Sequence, residues 1–221
     1  MLYQRKSRMT VQQQQQLLEH FVAWTTARAA AMLIGVQANT AIRFYQRLRR
    51  LIASKVEHYE LSGEVEADES YFGGVREGRR GRGAAGKVTG FGLLERGGKV
   101  YTAIIPNAQG STLIPIIREK VLPDSIVYTD SFQVYDALDV SEFHHRRVNH
   151  SKVFVSIRGH HIKGIENFLS QAKRHLCRSN GIPKDSFYWC LKECDWHFNG
   201  GGHTALLHQL KAWYRAAIHR S

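Results

Sequence analysis

The spacing of apolar residues changes near residue 60 of the chain. Before that point apolar positions recur every three or four residues, which predicts amphipathic helices over 10–23, over 27–34 and from about residue 39 onward. After it, alternating or short apolar runs predict five strands, over 64–72, 87–95, 99–106, 125–130 and 143–148. Helical patterns lie between or after them, over 111–121, 131–138 and 163–179, with Ser111 as a possible cap of the first.

This element order predicts the fold class. Three strands, a helix, a strand, a helix, a strand and a helix follow one another, which is the order of an RNase H-like fold. We therefore expect an α/β protein with an RNase H-like mixed five-stranded sheet and flanking helices, preceded by a small all-α helix-turn-helix module. The predicted domains are 1–58 for the helix-turn-helix region, 62–199 for the catalytic domain and 200–221 for a C-terminal tail.

The N-terminal helices are typical of a DNA-binding helix-turn-helix. A short helix and a turn at Gly35 precede a helix with two distinct faces. One face is apolar, and the other presents candidate DNA-binding residues. The apolar positions are Ala41, Tyr45, Leu48 and Ile52, and the DNA-binding candidates are Arg43, Gln46, Arg47 and Arg50. A generic three-helix bundle is the alternative. The glutamine run 12–16 is interpreted as a solvated helix face.

Charge narrows the range of partners. The formal net charge is +12, which favours a polyanion, with nucleic acid first and an acidic membrane surface second. We see no apolar run long enough for a membrane helix and no secretory signal core, so a cytoplasmic location is expected. The three cysteines are predicted to be reduced thiols. A zinc site at Cys190, Cys194 and His197 is the less favoured alternative, because the usual CxxC spacing is missing.

The stretch GRGAAGKV, residues 81–88, resembles a phosphate-binding Walker A loop. It lacks the preceding buried strand, the following helix and the terminal hydroxyl residue, so nucleotide triphosphate binding is disfavoured. Its basic residues favour contact with the phosphates of DNA instead. These DNA-binding candidates are Arg76, Arg79, Arg80, Arg82 and Lys87.

Three acids occupy informative places in this layout. Asp68 lies in the first strand, Asp130 ends the fourth, and Glu166 lies on the last helix of the sheet domain. Lys173 follows Glu166 by two helical turns and so shares its face, whereas Asn167 lies about 120° from that line. Three converging carboxylates are the ligands that a pair of magnesium ions needs for phosphodiester chemistry. Glu166 is therefore preferred over Asn167 as the third residue.

Several long motifs resemble one family. The stretches GEVEADESYFGG, SIVYTDSFQVYDAL, GIENFLSQAKRHL and FYWCLKECDWHFN are similar to bacterial insertion-sequence transposases of the ISXO-like group, within the DDE superfamily. The resemblance implies that Asp68, Asp130 and Glu166 are the catalytic triad and metal ligands, and that Lys173 touches DNA near the cut phosphate. It also implies Mg2+, with Mn2+ able to substitute, and metal-dependent cleavage followed by strand transfer.

The same resemblance implies the partners. These are double-stranded DNA, as the element's terminal inverted repeats and as target, and further copies of the chain in a homodimer or larger synaptic complex. Two alternatives stay open: a catalytically inactive helix-turn-helix DNA-binding protein derived from a transposase, and an RNase H-like nuclease for RNA–DNA hybrids. Lys163 and the tail after residue 199 depart from the family pattern.

Overall fold

The computed structural model describes residues 9–56, 59–73, 87–130, 143–148, 162–179 and 181–219. They form two compact units. The helical unit is built from the chain before residue 58 together with the chain from 185 onward, and the sheet unit spans 58–184. The elements in chain order are α1 (Val11–Val22), α2 (Ala27–Ile34), α3 (Ala38–Val56), β1 (Glu64–Phe72), β2 (Val88–Glu95), β3 (Val100–Ile105), α4 (Gly110–Lys120), β4 (Ile126–Asp130), β5 (His144–Val148), α5 (Lys163–Cys177), α6 (Lys184–Asn199) and α7 (His203–His219).

Helix α1 begins at a capping box. The Thr10 hydroxyl accepts from the Gln13 backbone N–H at 3.1 Å, and the Gln13 side chain accepts from the Thr10 N–H at 3.0 Å. The expectation that the glutamine run is a solvated face is wrong at Gln14, which is fully buried. Its amide donates to the Met9 carbonyl and accepts from the Tyr214 hydroxyl, so burial leaves neither group without a partner.

The helix-turn-helix candidate has the predicted faces. Helix α2 ends at Gly35, which adopts the left-handed conformation, and α3 begins at Ala38. The four apolar positions predicted for α3 are buried. Of the four polar candidates, the three arginines are exposed and Gln46 is half-buried. Helix α3 therefore packs through one side and presents a basic side to solvent.

The last two helices complete the helical unit. Residues 200–221 were expected to form a tail, yet 203–219 form α7, which packs against α1 and α3 and buries Leu206 and Leu210. Helix α6 is buried over residues 190–196 and carries Glu193, which accepts from Arg49 Nε at 2.6 Å. The division therefore differs from the predicted one, because α6 and α7 belong with the N-terminal helices.

The sheet confirms the RNase H-like fold. Its strand order is β3-β2-β1-β4-β5, with β1–β2 and β2–β3 antiparallel and β1–β4 and β4–β5 parallel. The predicted strands are all found, within about one residue at each end. Ser111 does not cap α4: the N-cap is Gln109, and the Asn107 side chain accepts from Gln109 N–H and the Thr112 hydroxyl. The predicted helix over 131–138 lies outside the described residues.

The sheet is covered differently on its two faces. One face carries an apolar core with α4, comprising Leu61, Val65, Ala67, Phe91, Leu93, Ile105, Leu113, Ile114, Ile117, Val121, Val127 and Phe143. Since strand side chains alternate, Glu66 and Asp68 project from the opposite face, on which α5 packs against β1 and β2. None of the helices over the described residues is long and apolar enough to cross a membrane.

Candidate active site

Asp68 and Asp130 lie on neighbouring strands at the same level. Glu66 of β1 pairs with Tyr128 of the parallel strand β4. Asp68 lies two residues after Glu66, and Asp130 lies two residues after Tyr128. Because side chains alternate along a strand, both aspartates project from the same face as this pair, and they lie level with each other. The sequence placed Asp68 within a strand and Asp130 at the end of another, and the parallel register brings the two to one part of the sheet.

Helix α5 crosses this face along β1. Gly92 of β2 lies directly opposite Asp68. A Cβ atom at Gly92 would come within 2.7 Å of Ile165 Cδ1, so the absence of a side chain lets α5 approach the sheet. Further along α5, the Lys173 ammonium lies 5.7 Å from the centre of the Phe72 ring at the end of β1. Glu166 is therefore held beside the segment of β1 that contains Asp68.

The five predicted core positions of α5 are buried, namely Ile165, Phe168, Leu169, Ala172 and Leu176. Glu166 and Lys173 are exposed, as the helical spacing predicted. Asn167, the alternative third residue, is exposed as well, and its side chain accepts from Gln171 at 3.2 Å. Exposure alone does not show whether Glu166 or Asn167 is the third residue of the site. The negative charge of Glu166, however, contributes to the raised pKa of Asp68.

The charge environment of Asp68 is unusual for an aspartate. Burial, followed by the negative charges of Glu69, Glu166 and Asp130, raises the pKa of its carboxyl to about 7. A hydrogen bond from the Glu69 backbone opposes this rise. Two of the three charges belong to the other members of the predicted triad. Asp68 therefore lies within electrostatic reach of both, in a place where a cation would be stabilising.

The carboxylates are not gathered around one point. Among the described residues, no group of three or more His, Cys, Asp or Glu side chains is arranged to hold a metal ion. The donor chemistry fits a hard divalent cation, since carboxylate oxygens at the edge of solvent are what Mg2+ prefers. The assignment of Asp68, Asp130 and Glu166 as metal ligands therefore stays a prediction.

Residues 60–199 match the ISXO2-like transposase domain, which is more than half of the chain. The chain belongs to this transposase family. An "Uncharacterized transposase-like protein" of Haemophilus influenzae is 53% identical over 120 residues, 54% of this chain and 97% of that protein. An "Uncharacterized protein in transposable element ISH50" of Halobacterium salinarum is 30% identical over 178 residues, 73% of this chain and 60% of that protein.

The transposase is also similar to solved structures, at low identity. The Mos1 strand transfer complex aligns over 99% of this chain and 79% of the other, with 14% identity and a TM-score of 0.34. The Mos1 mariner paired end complex with Mn aligns over 99% and 80%, with 12% identity and a TM-score of 0.31. Likeness at this level gives no information about the site.

Only some of the other candidates in the transposase lie within the described residues. Arg76, Arg79, Arg80 and Arg82 fall outside them, whereas Lys87 is half-buried just before β2. The thiols of Cys190 and Cys194 are buried and free, and burial raises the pKa of Cys190 to about 11. Cysteine is among the residue types most often buried, so core packing accounts for the placement of both thiols.

Sequence reasoning missed two residues that place α5 in this transposase. Glu66 is 1% exposed, and its carboxylate accepts from the Ile165 backbone N–H and from Arg96. Gly92 supplies the space already described. A signal for Glu66 was present in EVEADES, where polar residues recur at every second position of a strand in a domain with helices on both faces of its sheet. That pattern places several polar groups beneath a helix.

The raised pKa of Asp68 predicts an effect on stability. The folded protein holds the proton of Asp68 more tightly than the unfolded chain does. The free energy of unfolding therefore falls as pH rises from about 4 to about 7. Without divalent ions, Asp68→Asn should therefore raise Tm at pH 8 by about 3–6 °C, allowing for partial exposure, and by little at pH 4.5. Thermal unfolding followed by circular dichroism at both pH values measures this.

Glu119→Gln, an exposed acid on α4, is the matched control and should leave Tm unchanged at both pH values. An equal gain from Asp68→Asn at pH 4.5 and pH 8 would contradict the electrostatic explanation, because it would then arise without the charge.

Proposed function

We propose that this chain is a DDE transposase that cleaves DNA at the ends of an insertion sequence and joins those ends to target DNA, with Mg2+ as cofactor and Mn2+ able to replace it. The observation that carries the proposal is the electrostatic convergence of Asp130 and Glu166 on Asp68. Membership of the ISXO2-like transposase family supports it. Three separated parts of the chain contribute to one face of the sheet, which a catalytic role explains better than packing does.

Asp68 and Asp130 would hold the divalent ions from adjacent strands, and Glu166 would complete their coordination from α5. When bound, such ions activate water and neutralise charge on the scissile phosphate. The protein contributes position: the β1–β4 register fixes the two aspartates relative to each other, and the packing of α5 fixes Glu166. The repulsion that raises the pKa of Asp68 is relieved when cations are present.

Lys173 would steady a DNA phosphate beside the carboxylates. Its side chain is exposed, and its position near Phe72 puts a positive charge at the end of β1. A compact ammonium on a flexible stem suits contact with a single phosphate oxygen. Lys87, at the start of β2, and the arginines of 74–86 would add contacts to the DNA backbone.

The helical unit would bind the terminal inverted repeats as double-stranded DNA. Helix α2, the left-handed Gly35 and α3 have the order and lengths of a helix-turn-helix, with α3 as the recognition helix. Arg43 and Arg47 are exposed on α3. Arg50 lies 4.5 Å over the Trp189 ring of α6, so we assign it a smaller part in DNA contact than the other two.

Replacing Arg43 and Arg47 together by alanine should weaken binding to a terminal-repeat duplex. If each arginine neutralises one phosphate, the slope of log K against log salt falls by about 1.8, and affinity falls at least about tenfold. Fluorescence anisotropy with a labelled duplex measures the affinity and its salt slope. The salt concentration is varied over about 50–200 mM, where phosphate contacts change the affinity strongly.

Arg215→Ala is the control, since Arg215 is an exposed arginine on α7 of the same unit. It should change the slope of log K against log salt by less than half of the amount expected for one phosphate contact. An equal loss in this variant would assign the binding to overall charge and would remove α3 as the recognition helix.

The proposal is tested by incubating the protein with a labelled terminal-repeat duplex in Mg2+, in Mn2+ and in chelator. We expect single-strand cuts at the repeat end with either ion and none in chelator. Joining two ends requires at least two active sites, so a homodimer or larger synaptic assembly should form on the duplex. Metal-independent binding without cuts, and no change of Tm with either ion, would favour the inactive DNA-binding alternative.

A further inference from the structure

The first turn of α5 carries a cap from another element. Its N-cap residue, Ile162, has no side-chain hydrogen bond to the turn. The backbone N–H of Ile165 instead donates to Glu66 Oε2 of β1 at 3.0 Å. Unpaired N–H groups and the partial positive charge at a helix N-terminus both favour a carboxylate at this place.

Glu66 is itself fixed on its other side. Its Oε1 atom accepts from Arg96 Nε at 2.9 Å, and the Arg96 guanidinium stacks 3.8 Å from the centre of the Tyr128 ring on β4. Glu66 is 1% exposed, and the hydrogen bonds from Ile165 and Arg96 offset part of the cost of removing its carboxylate from water. The three strands β1, β2 and β4 are thereby tied, through one carboxylate, to the start of α5.

Gly164 shows how close this contact is. A Cβ atom at Gly164 would lie 2.8 Å from Glu66 Oε2 and 2.6 Å from Leu94 Cδ2. Any other residue at this position would require the Glu66 or Leu94 side chain, or the turn itself, to shift. Glu166 follows two residues later, on the turn that Glu66 holds, while Asp68 follows Glu66 by two residues on the strand.

We propose that Glu66 is a positioning residue that sets Glu166 against Asp68 by anchoring the first turn of α5. The inference rests on the proposed function, since it assigns Glu66 a part in divalent-ion binding without making it a ligand. Of these two nearby carboxylates, Glu66 thus holds α5, whereas Asp68 faces the ions.

The test compares Glu66→Ala with Glu64→Ala. Glu64 lies on the same strand and face and binds the same Arg96, but it is exposed, and among the described contacts it has none to α5. Hydrogen exchange of the α5 backbone amides near Ile165 should accelerate about tenfold in Glu66→Ala and stay unchanged in the control, because only Glu66→Ala removes the acceptor of the Ile165 N–H. Glu66→Gln keeps an acceptor oxygen and should restore part of the protection.

The second readout is the Mn2+ concentration that gives half of the metal-induced rise in Tm. It should increase about tenfold in Glu66→Ala, as expected for a residue that orients a ligand, and less than twofold in Glu64→Ala. A lower Tm with an unchanged Mn2+ midpoint would show a merely structural role and would overturn the proposal.

Gly164→Ala covers the case in which Glu66→Ala does not fold. Alanine favours a helix over glycine, yet its methyl group would meet Glu66 Oε2 and Leu94 Cδ2, so either the carboxylate or the turn must shift and the Mn2+ midpoint should rise. An unchanged midpoint overturns the inference. If the unaltered protein neither cuts DNA nor responds to Mn2+, the proposed function fails, and exchange at Ile165 still decides whether Glu66 anchors α5.

Discussion

Asp68→Asn should reduce Mg2+-dependent cutting of a terminal-repeat duplex by about a thousandfold, which corresponds to about 4 kcal/mol of transition-state stabilisation. The substitution keeps the shape of the side chain and removes the charge on which Asp130 and Glu166 act. Affinity for the duplex should stay within about twofold, because the proposed recognition helix α3 belongs to the other unit. Single-turnover cutting and anisotropy with the same duplex measure the two effects.

Two further variants decide which residue of α5 belongs with Asp68. Glu166→Gln should match the loss seen in Asp68→Asn, whereas Asn167→Ala should keep most of the activity. The opposite pattern would assign the third position to Asn167. Glu119→Gln, distant on the surface of α4, serves as the control for removal of an acid. Full cutting by Asp68→Asn would remove the proposed site altogether.

Arg49→Leu should destabilise the helical unit by about 3–5 kcal/mol, because it leaves a buried carboxylate without its cation. Arg49 Nε binds Glu193 Oε2 at 2.6 Å, and the Glu193 side chain is 4% exposed. Burial raises the pKa of Glu193 and the charge of Arg49 lowers it, so loss of Arg49 lets the pKa rise further. The destabilisation should therefore be smaller at pH 5 than at pH 8, as measured by urea unfolding.

The double variant Arg49→Leu/Glu193→Leu isolates the charge effect. Removing both partners should recover most of the loss, since apolar residues of similar size tolerate the site. Lys211→Ala, which breaks the exposed pair with Glu19, is the control and should cost at most about 1 kcal/mol. A double variant as unstable as Arg49→Leu would mean that packing of the arginine stem, rather than the unpaired charge, is responsible.

The sequence predicts the elements well where periodicity determines them. The core positions of α3 and α5 follow from a spacing of three or four residues, because one side of each helix must leave water. Gln14 could not be found this way. A buried polar side chain needs hydrogen-bond partners, and one of the partners of Gln14, the Tyr214 hydroxyl, lies in α7, far along the chain. The place of α6 and α7 in the helical unit depends on such contacts too.

The residues of the candidate site likewise fall into those that the sequence predicts and those that it does not. Asp68, Asp130 and Glu166 follow from strand and helix positions, since the fold order brings those positions together. Glu66 does not, because its role depends on which end of α5 lies over which residue of β1. Local sequence does not encode that register. The alternation in EVEADES indicated polar groups under a helix without saying which would anchor it and which would face the site.

The helical unit takes its two parts from before residue 58 and from residue 185 onward, and the whole sheet unit lies between them along the chain. During synthesis on a ribosome, α1–α3 emerge before α7, whose Tyr214 ring packs edge-on against Phe44 at 5.4 Å between ring centres. A stop codon within the sheet unit would thus leave α1–α3 without α6 and α7, the other helices of their compact unit.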